Sequence, residues 1–485
     1  MAKFNESSKV VPQTDTVNMA GGDAYSESDK LALASVLLTS FVGGQYYESA
    51  QENMARIATL VGSVEPLYAA KAAVFARTEF GMRSVSHVVA GELARIVKGE
   101  DWTKRFYNAV VKRVDDMAEI LAYYKRANGS IHPLPNSVKK GFALALRRQD
   151  EYTLGKYRME GKDISLVDIV NLVRPLRTPA LDKLMNGELR SETYQTGLTQ
   201  AGQNAETPEA KAEAKAEVWV NFVYNPKVEY FALLRNLRNI MQQADDNTFA
   251  LALATLTDKA RIKKSLVLPF RFMTAMEQFD GPDAKSRQVR AALSNALDIS
   301  VDNVPVLDGT TLVAVDVSGS MSGRPSDIAS LFAAVLAKSN NADVIMFSNN
   351  AAYKSFNLSD SVSTIAKSFH YATGGTNFKA IFNVANKKYD RIIILSDMQA
   401  WMTDSRDAGY GWYSSSPKVA FNDYRSRVGA NPHIFSFDLA GHGTLQFPEE
   451  KVYALAGFSE HVFDIMATLE TDREALVHRI EAVEF

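Results

Sequence analysis

Apolar residues recur at helical spacing up to about residue 300 and in strand-like runs after it. From Ser26, SESDKLALASVLLTSFV sets Leu31, Val36, Leu37 and Phe41 on one stripe, behind a first turn holding Ser and Asp. YESAQENMARIATLV, EPLYAAKAAVFARTEF, SVSHVVAGELARIV, DDMAEILAYYKRA and SVKKGFALALRR follow, broken at Gly43-Gly44, Gly81, Gly99 and Asn128-Gly129. Strand-like alternation is nearly absent before residue 305. The spacing predicts HEAT-like helical pairs, roughly 40–47 residues per unit and about six units, although no clean sequence period shows. Each unit packs only on its neighbours, so the array should curve.

After residue 300 the period changes. TTLVAVDV, ADVIMFS, RIIILSD and HIFSFDLA are short apolar runs, separated by the helical stretches SDIASLFAAVLAKS and FKAIFNVANKK. That alternation predicts an α/β domain, a mostly parallel, doubly wound sheet with helices on both faces. The expected organisation is a flexible polar tail over 1–25, an all-helical domain over 26–300 and the α/β domain over 305–485. Residues 195–217 form a compositional island. Its Gln/Gly/Thr half reads as a loop. Its Ala/Glu/Lys half reads as an exposed helix without a site, with Thr207 as cap and Pro208 at the first position.

Composition narrows the classes. The 485 residues suggest about three domains, or two large ones. No run approaches the ~20 apolar residues of a membrane span, and the first residues lack the apolar core of a secretory signal. With no cysteine there are no disulfides, thiolate metal sites or cysteine nucleophiles, and a reducing cytoplasm is the expected home. The net charge of -2 hides an asymmetry. Residues 301–485 hold 15 basic and 21 acidic residues, a net of -6, leaving 39 and 35, a net of +4, for 1–300. Within 95–190 there are 19 basic and 12 acidic residues, a net of +7. A regional excess suits an anion-binding face on the helical half, or simply solvated helix surfaces.

The strongest local motif is Asp316-Val317-Ser318-Gly319-Ser320, directly after the strand TLVAV. Loops at the carboxyl ends of strands hold ligands in open α/β sheets. Carboxylate and hydroxyl oxygens are hard donors suited to Mg²⁺. Thr373-Gly374-Gly375-Thr376-Asn377 and Leu395-Ser396-Asp397-Met398 follow in the order needed to complete such a site. Together they resemble the metal-ion-dependent adhesion site of von Willebrand factor A domains. The resemblance implies Ser318, Ser320 and Thr376 as hydroxyl ligands, and Asp316 and Asp397 as carboxylates binding directly or through water. Phosphate-loop, H-E-x-x-H and G-x-S-x-G motifs are absent. Seven histidines (His87, His132, His370, His433, His442, His461, His478) show no ligand spacing and read as surface or packing residues.

In the helical half, basic residues recur around tyrosines: Lys139-Lys140, Arg147-Arg148, Lys156, Arg158, Arg174 and Arg177, with Tyr152 and Tyr157 between them. Cations for phosphates and rings for base stacking are what RNA ends require. Tyr152 and Phe142 could equally be core. In YFALLRNLRNIM, Asn236 is as suited to a structural hydrogen bond as to RNA.

PNSVKKGFALALRRQDEYTLGKYR, SLVDIVNLVRP, FALLRNLRNI and VLPFRFMTAM, with YAAKAAVFARTEFGMRSV upstream, resemble the TROVE module of the Ro autoantigen family. A von Willebrand A domain after it is the family's order. The resemblance runs from about residue 28 nearly to the end. It implies a closed helical ring whose ends the A domain joins. It also implies small non-coding (Y-like) RNA on a basic outer face and the single-stranded 3′ ends of misfolded RNA in the central hole. Carried over by position, Lys156 and Arg174 match the small-RNA strip, with Arg158 beside them. A family histidine in that strip is Arg174 here, and an arginine expected after Lys156-Tyr157 is replaced by Met159-Glu160.

The expectation is a monomeric, non-catalytic, cytoplasmic RNA-binding protein in RNA quality control, with no membrane contact. Its RNA-binding residues are Lys139, Lys140, Arg147, Arg148, Lys156, Arg158 and Arg174, and its cofactor is Mg²⁺. A ribonuclease and an acidic protein ligand at the metal face are further candidate partners. The competing expectation is a cation-dependent protein adaptor that uses the helical array only as a scaffold. The aromatic loop 403–417 could cap the metal face, meet a partner or pack down.

Overall fold

The computed structural model describes residues 16–17, 23–26, 28–39, 50–159, 161–189, 194–226, 228–371, 374–399, 417–439, 444–445, 452–455, 463, 466, 470 and 475–485. The helical half comprises α1 (Asp29–Thr39), α2 (Ala50–Ser63), α3 (Pro66–Thr78), α4 (Ser84–Ile96), α5 (Thr103–Val110) and α6 (Val114–Asn128). Then come α7 (Asn136–Arg147), α8 (Glu151–Lys156), α9 (Leu166–Val173), α10 (Pro179–Met185), α11 (Tyr194–Asn204) and α12 (Pro208–Tyr224). It ends with α13 (Tyr230–Gln243), α14 (Asp246–Leu256), α15 (Lys259–Ser265), α16 (Pro269–Met276) and α17 (Ala284–Ser300). Many starts are legible caps. Asp150, Ser165, Thr178, Thr207, Asp245, Asp258 and Asp283 each accept a backbone N–H from inside the first turn. Each such cap contributes about 1 kcal/mol.

The first helices stack in two rows, α1 on α3, α3 on α5 and α5 on α7, beside α2 on α4 and α4 on α6. Gly141 shows how closely α5 and α7 approach, since a Cβ there would sit 2.4 Å from Tyr107 Cβ and 2.7 Å from the Lys104 carbonyl oxygen. In α6, Asp116 is fully buried, bound by Arg77 Nη2 at 3.0 Å, Arg83 Nη2 at 2.8 Å and His87 Nε2 at 3.0 Å. Burial alone would raise its pKa. The His87 hydrogen bond, the Arg77 charge and the Arg113 N–H instead hold it well below the carboxylate range.

Two differences from expectation lie here. Thr16–Val17 (β1) and Asp23–Ser26 (β2), expected within a flexible tail over 1–25, are strands, and β2 pairs with Thr444–Leu445 (β8) of the second half. The segment expected as a loop from residue 195 is the helix α11, packed on α12 and closed by Tyr194 against Trp219 and Phe222. Trp219 is fully buried, so tertiary packing overrides the weak helix propensity of Gly and Thr.

The second half is a six-stranded sheet in the order β5-β4-β3-β6-β7-β9. Its strands are β3 (Thr311–Asp316), β4 (Asp343–Phe347), β5 (Ala351–Lys354), β6 (Arg391–Ser396), β7 (His433–Asp438) and β9 (Val452–Leu455). All pairs are parallel except the β4–β5 hairpin. Among the described residues it is accompanied by helices α18 (Arg324–Asn340), α19 (Val362–Lys367), α20 (Phe378–Val384), α21 (Pro417–Val428) and α22 (Ala475–Glu481). Alternation divides the strands. Leu312, Ala314, Ile392 and Ile394 pack with α20 and α21, while Val313, Val315, Ile393 and Leu395 join the core shared with the helical half.

The α/β half touches both ends of the helical array and closes it into a ring. At one end α16 meets α18 and α17 meets α19, with Phe270 stacked on Phe332 at 6.0 Å and Asp298 accepting from Val362 N at 2.8 Å. At the other, α22 packs on α1 and α3. Glu481 binds Lys30 and Lys71, and Phe485 lies against Trp102 and Phe106 at 6.4 and 5.9 Å.

Candidate metal centre and nucleic-acid interface

The strand β3 delivers Asp316 to the carboxyl edge of the sheet, beside β6, which delivers Ser396 and Asp397. A third loop arrives from Gly374 to Asn377. It is tied down by Gly319 N donating to Gly374 O at 3.3 Å and by Asn377 N donating to Ser348 O at 2.9 Å. The five residues expected as ligands thus share one edge. Asp316, Ser318, Thr376 and Asp397 are buried, and Ser320 is half-buried.

Asp316 accepts Ser318 N at 2.9 Å and Ser396 Oγ at 2.7 Å. The Ser318 and Ser320 hydroxyls lie 3.2 Å apart. Burial, reinforced by the Asp397 charge, pushes the Asp316 pKa up to about 7. Thr376 Oγ1 is buried without a hydrogen-bond partner among the described residues. A buried hydroxyl of that kind and two mutually repelling carboxylates fit a hard divalent cation, which would satisfy the hydroxyl and neutralise both charges. No three His, Cys, Asp or Glu side chains cluster among the described residues, so a cation here depends on hydroxyl and solvent oxygens beyond the two carboxylates.

Sequence reading missed the residues that hold these loops. Asn349 Oδ1 accepts Gly375 N at 2.7 Å, and its carbonyl accepts Asn377 Nδ2 at 3.1 Å. Gly374 leaves just enough room, since a Cβ there would stand 3.3 Å from that Oδ1. The only sequence signal was the Asn349-Asn350 turn after β4. Ser396 also positions Asp316 from β6, through a bond between residues 80 apart in sequence. Thr373 and most of the 403–417 segment lie outside the described residues.

The basic candidates occupy α7, α8 and the C-cap of α9. Lys140, Leu144 and Arg147 are exposed at i, i+4 and i+7 of α7, while Lys139 is half-buried and Phe142 belongs to the core. Lys156 lies 5.5 Å from the ring centroids of both Tyr152 and Tyr157, and the Arg113 guanidinium lies 4.2 Å from that of Tyr157. Tyr152 is 48% exposed, so its ring faces solvent rather than core. Arg158 is half-buried, and Arg174 is exposed in the left-handed region at φ 49°. Arg148 has a different role. It donates to Asn108 Oδ1 at 3.0 Å, to Asn108 O at 2.7 Å and to Val111 O, closing the end of α5. Its guanidinium is engaged with these protein acceptors. Asn236 is buried and donates to Tyr194 Oη at 3.0 Å and Ala232 O at 2.8 Å, a structural role.

Residues 203–298 match the family model of the TROVE domain. That segment is therefore similar to a TROVE domain. The chain is similar to telomerase protein component 1 of Rattus norvegicus, 21% identical over 346 residues, and to that of Mus musculus, 20% identical over the same length. These alignments take in 55% of this chain and only 13% of each relative's own length. The fold is similar to the crystal structure of the Deinococcus radiodurans Ro (RSR) protein, with TM-score 0.59, 18% identity, and 93% of this chain and 99% of that one covered. A helical ring followed by an α/β domain is therefore the fold of the described residues. Among the described residues, no helix is long and apolar enough to cross a membrane.

Proposed function

We propose that this chain is a non-catalytic RNA-binding protein of the Ro type, acting in the cytoplasm as a monomer in RNA quality control. The observation that carries the reading is a TROVE-type ring bearing the exposed Lys140, Arg147 and Arg174, the half-buried Lys156 and the exposed ring of Tyr152. Small structured RNA would lie across these residues, phosphates on the cations and an unpaired base on Tyr152. Single-stranded ends of misfolded RNA would enter the ring.

The α/β half would hold Mg²⁺ through Asp316, Ser318, Ser320, Thr376 and Asp397, as in a von Willebrand A metal site. Bound there, the ion would neutralise the two carboxylates and offer a position to an acidic group of a partner, a protein ligand or a docked ribonuclease. The buried unpaired Thr376 hydroxyl favours that second activity, so the adaptor reading is kept for this face alone.

Reversing charge at Lys156 and Arg174 together tests the RNA reading. Filter binding of a structured small RNA across a salt series should show affinity reduced at least tenfold and a shallower salt dependence, by about one unit per lost phosphate contact. Wild-type affinity and slope in the double variant would leave the adaptor reading standing alone.

A further inference from the structure

The helix α12 arranges its charges in a way that ring packing does not require. Lys211 and Lys215 stand four residues apart and in line with Trp219, while Glu209, Glu213 and Glu217 stand four apart from one another. At 3.6 residues per turn these two rows lie on opposite sides of the helix. Side chains four apart are neighbours, so Lys211 and Lys215 repel, as do successive glutamates. No glutamate of α12 stands three or four positions from either lysine to offset this. Stability alone would mix the signs. Here the lysines are gathered on one side at a cost to the helix.

The structure shows what that side faces. The fully buried Trp219 anchors the row and turns it toward α11, where the lysine stems run past Gly202. A Cβ on Gly202 would lie 3.4 Å from Lys211 Cε and 3.7 Å from Lys215 Cε. The lysines border a cleft of about 410 Å³ whose other polar walls include Gln203 of α11 and Asn239 and Gln243 of α13. Trp219 Nε1 donates to Gln243 Oε1 at 3.1 Å, which fixes that amide and leaves its NH₂ to donate. One turn before Asn239 stands the exposed Arg235. Neither lysine, nor Arg235, pairs with a carboxylate among the described residues.

We propose that this cleft is a nucleotide subsite for single-stranded RNA. The lysine pair takes backbone phosphate, and the side-chain amides take the donor and acceptor edge of an unstacked base. Ammonium groups are point charges suited to phosphate, and amides carry both donors and acceptors, as a base edge does. An acidic peptide would use the lysines but leave the amides without a matching partner. The site rests on the RNA-binding reading above and adds a position remote in sequence from the α7–α9 strip.

The test uses the full chain, a labelled oligouridylate and a blunt hairpin RNA, followed by fluorescence anisotropy from low to high salt. Lys211→Glu with Lys215→Glu should weaken oligouridylate binding at least tenfold, reduce its salt slope by about 1.4 units and leave the hairpin unaffected. Lys211→Ala with Lys215→Ala, which favours the helix, should show the same selectivity at about fivefold. A 4-thiouridine oligomer should cross-link to the peptides around Gln203 and Asn239. Wild-type oligouridylate binding in both variants overturns the subsite, and so does an equal loss for both RNAs, which would mean a diffuse field. Failure of the wild-type chain to bind either RNA overturns the Ro-type reading itself, and the subsite with it.

Discussion

Two buried aspartates, one in each half of the chain, have been placed in opposite surroundings. Asp116 in the ring meets Arg77, Arg83 and His87, with backbone N–H groups from Lys112 and Arg113, and stays ionised far into acid. Asp316 in the α/β half meets hydroxyls and a second carboxylate, and its pKa rises to about 7. Equal burial thus has opposite consequences, because the described residues set cations against Asp116 and a second carboxylate against Asp316. The first arrangement holds helices together. The second costs stability in metal-free protein, which the proposed cation would return.

Removing Asp116 should have the largest effect. Asp116→Ala leaves Arg77, 9% exposed, without its counter-charge and removes the acceptor at the start of α6. A loss of about 3–5 kcal/mol is expected in urea unfolding followed by circular dichroism. A loss below about 1 kcal/mol would show that the cluster is not what holds α3, α4 and α6 together.

Asp316 should respond in the reverse direction. Asp316→Ala should abolish Mg²⁺ binding in isothermal titration while leaving the fold intact in chelator. Unchanged Mg²⁺ affinity would remove the assignment.

The same pair separates in pH. The depressed Asp116 adds stability that is present above its ordinary value of 3.8 and lost as pH falls below it. The raised Asp316 acts oppositely in metal-free protein. Its folded form binds a proton more tightly, so stability is greatest below 3.8 and declines as pH rises to about 7. That decline is on the order of 4 kcal/mol. Urea midpoints in chelator should show it, Mg²⁺ should offset it, and Asp316→Asn should flatten it. A profile for Asp316→Asn parallel to wild type would contradict the shift.

The smallest effect distinguishes structural from ligand-facing cations in the ring. Arg148→Ala should cost about 1–2 kcal/mol in unfolding and change RNA affinity less than twofold, because its guanidinium binds carbonyls of α5 and the turn after it. Lys140→Ala, on the exposed face of α7, should leave stability unchanged and weaken RNA binding. If the two swap phenotypes, the interface lies closer to α5 than the exposed row suggests.

Much of this was already written in local sequence. The helical period, caps such as Thr207 and Asp245, and the alternation after residue 305 gave the two halves and their order. The Asp316, Ser318 and Ser320 motif, with Thr376 and Asp397, was legible because each residue lies at a strand end or in a glycine loop. Asn349 was not, because its role is a bond to Gly375 across 26 positions. The separate roles of Arg147 and Arg148 were equally hidden. The pair reads as one basic dipeptide, and only the approach of α5 assigns one member to carbonyls. Lys211 and Lys215 read as a solvated helix until Trp219 oriented that helix against α11.

By itself the sequence determined period, capping, strand order in the chain and the types of donor at the candidate metal edge, all set by neighbours within a few residues. The tertiary structure decided which buried charges are paired, which arginine is spent on backbone and which face of α12 meets a cleft. It also closed the ring, through Glu481 on Lys30 and Lys71 and Phe485 on Trp102 and Phe106. Those contacts join residues hundreds of positions apart. Their energies depend on burial and on distances between side chains, and neither quantity exists until distant segments have packed.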